Sequence, residues 1–196
     1  MSAKKVPFLI ILATIASGAV MRAADRIVPP SVPGEIEVQG GFKPFLAARA
    51  YGTQNFICAP ANTETGLDWL FIGPQATGFD GELEQVLTHF QSYNPERANA
   101  IQATWQHSRD SSAVWATRVN GSLDARYVAP GAIEWLLLQV SGNQAGPTGG
   151  IKLAGTKFIQ RVNTVGGVKP PSAECHTGTI NNRRLVYYEA DYYFYR

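Results

Sequence analysis

Apolar residues in this chain come in short runs, and turn-forming residues interrupt them before a long helix could form. Residues 45–51 and 55–58 alternate apolar and polar positions, as half-buried strands do. The run LDWLFI at 67–72 reads as a buried strand that stops at Gly73-Pro74. Gly78-Phe79-Asp80-Gly81 predicts a turn, and residues 83–90 predict another strand. Asn94-Pro95-Glu96-Arg97 places Asn at a cap, Pro in the first turn and an acid behind it, which predicts a turn or two of helix. Alternation returns at 101–107 and sets Ile101, Ala103, Trp105 and His107 on one face. Residues 109–112 break that run, residues 113–119 supply a partner strand, and Asn120-Gly121 predicts a tight turn after it.

The segment IEWLLLQV at 133–140 fits strand or helix by pattern. Its short length and the flanking Pro130-Gly131 and Ser141-Gly142 favour a buried strand. Glycine-rich SGNQAGPTGG at 141–150 reads as a loop. At 158–164, Phe158, Gln160 and Val162 share one face while Ile159, Arg161 and Asn163 share the other. The aromatic C-terminus, 185–195, closes the series of strands. Together these segments predict a mainly β, single-domain antiparallel β-sandwich or barrel with short helical turns.

The N-terminus changes the picture of charge and location. Lys4-Lys5, the apolar run at 6–16 and the small residues Ser17-Gly18-Ala19 read as an export leader over residues 1–19, with cleavage after Ala19 or as late as residue 24. An apolar stretch of about 15 residues is short of the roughly 20 that span a bilayer, so no transmembrane anchor is expected in the mature chain. The full chain holds 17 Lys+Arg against 15 Asp+Glu. Loss of Lys4 and Lys5 with the leader balances the two, and no basic cluster remains to suggest nucleic acid. Residues 20–41 are rich in proline and glycine and read as an extended lead-in to a domain over 42–196. Two cysteines in an exported chain predict one disulfide, Cys58 to Cys175. In the chain-entropy view so long a loop is worth at most about 4–5 kcal/mol.

Four pieces then occur in order: Thr104-Trp105, A-I-x-W-L-L-L at 132–138, IQRVNTVGG at 159–167 and ADYYFY at 190–195. Together they resemble the DUF3455 family of exported bacterial and fungal proteins, a family without an established biochemical function. The resemblance spans residues 42–196 and implies an exported protein without supplying a reaction. Where family members look like G-x-H-Y-A-G-P-T-W, this chain has THFQSY at 88–93 and an insertion before Ala103-Thr104-Trp105. His89 matches the family histidine, but the glycine and proline around it are gone.

Candidate chemistry is sparse. The chain lacks G-x-S-x-G, H-E-x-x-H, the P-loop pattern and a G-x-G-x-x-G that opens a helix, so no cofactor is expected and a nicotinamide oxidoreductase is disfavoured. None of His89, His107 and His176 has a partner at metal-ligand spacing, so no metal is expected. His89, His107 and Asp110 could still form a metal or acid–base cluster if adjacent strands bring them together; otherwise they are exposed or hydrogen-bonded strand residues. Trp105 and Trp115 are either core residues or apolar walls of a ligand site, whereas Trp69 and Trp135 read as core. Arg161, on one face with Asn163, either pairs with Glu189 or Asp191 or is aimed at a ligand. Gly166-Gly167 and Pro170-Pro171 would shape a corner leading to Cys175. Asn120-Gly121-Ser122 matches a glycosylation acceptor, yet reads as a turn. The resulting expectation is a periplasmic or extracellular ligand-binding or envelope-associated module for a small molecule or glycan. The alternative is a secreted hydrolase using the His/Asp residues.

Overall fold

Each strand pairs antiparallel with the next in sequence, and the last returns to pair with the first, so that eight strands close into an up-and-down barrel. The computed structural model describes residues 26–98 and 100–196; the predicted leader and its cleavage sites lie outside them. The strands are β1 (Pro44–Pro60), β2 (Leu67–Phe79), β3 (Gln85–Tyr93), β4 (Ile101–His107), β5 (Ala113–Ser122), β6 (Trp135–Gln144), β7 (Phe158–Gly166) and β8 (Arg183–Tyr195). Of the two predicted architectures, the barrel is the one formed. Closure leaves no long edge strand to pair with another chain. Among the described residues the helical content is confined to 3₁₀ turns such as Gly34–Ile36 and Ser172–Glu174.

Period-two alternation decides which residues fill the barrel. Ala48, Ala50, Leu87, Trp105, Val114, Leu138, Ile159, Tyr188, Tyr192 and Phe194 form the interior core. The opposite face of β6 and β7 is also buried, because the lead-in folds over it. Ile36 is fully buried there against Trp135, Leu137 and Val162. Gln160 Nε2 donates to the Ile36 carbonyl at 2.7 Å, which fixes the lead-in to the wall. A third cluster gathers Phe56, Trp69 and the disulfide Cys58–Cys175. The bridge joins the end of β1 to the β7–β8 loop at one end of the barrel, with the Cα atoms 5.3 Å apart.

Several local expectations are corrected. Residues 45–51 and 55–58 belong to one long strand, β1, with an irregularity between Asn55 and Phe56. Gly73-Pro74 does not end β2. Gly73 absorbs the irregularity with φ of 119°, and the β2–β3 ladder runs only from Ala76 to Phe79, so Pro74 has no partner on the β3 side to lose. Asn120-Gly121 lies within β5, opposite Leu137 and Leu136, and is not a turn. Asn94–Arg97 makes one turn, held by Glu96 N donating to Asn94 Oδ1 at 2.9 Å, and no helix follows.

Candidate functional site

Large side chains do not fill the barrel evenly. Towards one end Leu87, Leu138, Leu153, Ile159 and Phe194 pack the interior. Towards the other, the end that carries the disulfide, Ala103 and Ala116 face each other across β4 and β5. Two methyl groups where larger side chains could meet leave a chamber of about 190 Å³. Its walls include Phe71, Ala116, Leu136 and Leu138. An eight-stranded barrel is just wide enough for side chains or one small ligand, so two alanines suffice to open it. The chamber continues into a wider groove of about 540 Å³ at the barrel mouth; Gln54, Phe71 and Arg161 line both. Around the mouth, Phe71 is 47% exposed, Leu123 68% and Val168 44%, so the approach is apolar.

The polar groups in the chamber are few and specific. His89, on β3, is directly opposite Trp105 on β4, and the rings stack at 4.1 Å and 10°. His89 Nδ1 lies 2.8 Å from the Thr104 carbonyl, which can only accept, so Nδ1 carries the proton and Nε2 keeps its lone pair. Burial lowers the His89 pKa to about 3, the Thr104 hydrogen bond opposes this, and Arg161 adds to the lowering. The imidazole is therefore neutral. Tyr192 meets the edges of both rings. Burial raises its phenol above the ordinary range, against the influence of Arg161. Tyr188, 3.4 Å away through its hydroxyl, is also raised by burial, so both phenols stay protonated.

Arg161 projects inward from β7, between Leu136 and Tyr192 in the register. One terminal nitrogen donates to the Glu134 carbonyl at 3.0 Å. Its buried Nε has no acceptor. Among the described residues no carboxylate neutralises it, because Arg49 engages Glu189 and Asp191 while Arg118 engages Glu134. Of the two readings of Arg161, the pairing with Glu189 or Asp191 is not formed. Trp105 Nε1 and Gln54 Nε2 are also buried without a hydrogen-bond partner. The Gln54 side chain is near enough to Tyr188 to influence its phenol, yet Nε2 forms no aligned hydrogen bond. Each such donor costs about 1–3 kcal/mol. Two further orphans, on Trp69 and Trp135, lie in the other two clusters.

The other sequence candidates are placed elsewhere. Asn163 does not share a face with Arg161. The β7–β8 ladder is irregular between Val162 and Val165, Asn163 takes φ of 50°, and its Nδ2 donates to Asp191 Oδ2 at 2.7 Å outside the chamber. Trp115 pairs with Thr104 and so points away from Trp105; its Nε1 donates to Ser92 Oγ at 2.9 Å on the outer wall. His107 and Asp110 approach to 3.4 Å at the packed end, apart from His89 and Arg161 in the chamber lining. His107 Nδ1 accepts from Arg109 N at 3.2 Å, so it has no proton to give Asp110, as a catalytic His–Asp pair requires. Asp110 accepts from Ser112 N, Ser112 Oγ and Lys152 N, which closes a loop. Among the described residues no group of three or more His, Cys, Asp and Glu side chains is placed to hold a metal ion.

The corner after β7 is structural in its details. Gly166 and Gly167 have φ of 61° and 81°, and a Cβ on Gly166 would stand 2.6 Å from the Tyr187 carbonyl oxygen. Ile133 N donates to Gly166 O at 2.9 Å and Ala132 bridges Gly167, which hold the β5–β6 loop beside the mouth. That loop supplies the Glu134 carbonyl to Arg161, so the corner and the chamber are physically linked.

Sequence reasoning overlooked Gln54, Ala103, Ala116 and Arg118 as lining residues. The alanines carried a readable signal: both lie on the best hairpin in the chain, at small positions amid bulky ones. Gln54 carried none.

Fold and chamber together define a closed eight-stranded antiparallel barrel with a ligand-sized interior space at its disulfide-bridged end. The chain belongs to the DUF3455 family, described as "Protein of unknown function (DUF3455)", whose family model matches residues 39–196. No curated protein and no solved structure gives a significant match.

Proposed function

We propose that the protein is an exported ligand-binding barrel, periplasmic or extracellular, that takes one small molecule through the apolar mouth into the chamber beside Trp105. The supporting observation is the chamber itself: about 190 Å³ of space inside a barrel whose other end is tightly packed. An apolar cavity of about 150 Å³ accommodates a molecule the size of benzene, so this one suits a single ring or a short chain. Phe71, 47% exposed, gives the ligand an apolar wall, Trp105 lies in the lining where it can report an occupant, and the neutral His89 offers one acceptor. The export part of the reading draws on the leader pattern at residues 1–19 and on the disulfide, which persists in oxidising compartments. Among the described residues no helix is long and apolar enough to cross a membrane.

Titrating the purified protein with a panel of small aromatic, aliphatic and glycan compounds, followed by tryptophan fluorescence, tests the reading. At least one compound is expected to change the emission of the wild type and not of Trp105→Phe. A response that survives Trp105→Phe unchanged, or none across the panel, refutes it.

A further inference from the structure

We infer that the chamber's ligand is a small carboxylic acid with an apolar body, its carboxylate closing the open charge of Arg161. The inference rests on the chamber being a binding site and adds the chemical class it takes. Buried cations in proteins are paired, because an unpaired one forfeits its hydration without replacement. Arg161 is half-buried, and among the described residues no carboxylate pairs with it. Its hydrogen-bonding contacts are with the Glu134 carbonyl and the Tyr192 phenol, both uncharged, and its Nε is buried without an acceptor. Among the described residues, the acids on the neighbouring loop and strand are engaged elsewhere: Glu134 by Arg118 at 3.0 Å, and Asp191 by Arg49 at 3.1 Å.

The rest of the lining agrees in sign. Among the described residues no Asp or Glu lines the chamber, whereas Arg118 and Arg161 both do. The other two unpartnered groups there, Trp105 Nε1 and Gln54 Nε2, are donors as well. A set of orphan donors around one cation calls for a ligand that offers acceptors and negative charge. A planar carboxylate answers a guanidinium with two parallel hydrogen bonds. Phe71, Ala103, Leu136 and Leu138 have no polar partner to offer the remainder of the molecule, which is therefore apolar. A dianion fits poorly, since Arg118 already has its counter-charge in Glu134.

Isothermal titration of the wild-type protein with benzoate and with neutral benzamide at neutral pH tests this, because the two share a body and differ in charge. Benzoate is expected to bind roughly ten- to a hundredfold more tightly, the effect of a charge-assisted hydrogen bond. In Arg161→Gln that preference should collapse to parity with benzamide still bound, while Arg161→Lys should keep most of it. Equal affinities in the wild type, or a preference that persists in Arg161→Gln, overturn the acid assignment and leave the chamber as a site for neutral molecules. Binding of neither probe overturns both readings. Should Arg161→Gln fail to fold, the wild-type ratio and the Arg161→Lys result decide.

Discussion

The imidazole of His89 lies flat on the indole of Trp105, 4.1 Å from centroid to centroid, inside the barrel and away from solvent. Protonation at that position would bury a charge beside the Arg161 guanidinium.

A pH dependence of stability follows. Folded His89 titrates at about 3, far below an exposed histidine. The unfolded chain takes up the proton first as pH falls through about 6.5, so the stabilisation is complete above that pH and is lost on the way down towards the folded value. The slope has a ceiling of about 1.4 kcal/mol per pH unit for each such group. His107, also lowered by burial and opposed by Asp110, adds in the same direction. Urea midpoints measured between about pH 7 and about pH 5 should fall in the wild type and fall less steeply in His89→Gln. Identical slopes would contradict the buried neutral imidazole.

Filling the chamber should separate stability from binding. Ala116→Leu places a branched side chain in the space opposite Ala103. The variant should gain about 0.5–2 kcal/mol in denaturant unfolding, as cavity-filling changes do, and lose its response to small ligands. A loss of stability would mean the space is smaller than its walls imply.

The disulfide bridges 117 residues and ties β1 to the loop beside the mouth. Replacing both Cys58 and Cys175 with alanine should cost about 2–5 kcal/mol in equilibrium unfolding. Amide exchange should rise first near Cys58, whose N–H and carbonyl bond to Asn182 and Asn181, and later in β4 and β5. Uniform loss of protection would contradict a local fastening role.

Arg49 holds the outer wall by contacting Glu189, Asp191 and the Asn163 carbonyl. The group is about a third exposed, so solvent screens it, and Arg49→Met should cost about 1–2 kcal/mol. Affinity for a chamber ligand should not change. A drop in affinity at unchanged stability would place this cluster within the site after all.

Strands, chain class and disulfide were legible because they depend on local alternation, turn residues and compartment chemistry. The site was less legible because it depends on register. Trp105 and Trp115 look equivalent along the chain, yet the pairing of Thr104 with Trp115 sends them to opposite sides of the wall. Strict alternation placed Asn163 beside Arg161, but an irregular ladder and a positive φ turned it outward. Gly73-Pro74 read as a strand end and Asn120-Gly121 as a turn, and tertiary pairing kept both within strands. The long-range contact of Ile36 with the outer wall had no signature in a lead-in rich in proline and glycine.

Soaking crystals of the protein with benzamide addresses the central claim most directly, because it shows where a small molecule goes without reliance on charge. Density for one molecule inside the barrel, between Trp105 and Ala116 and within reach of Arg161, is the expected result. Density confined to the outer wall, or an interior that stays empty at saturating concentration, would contradict it.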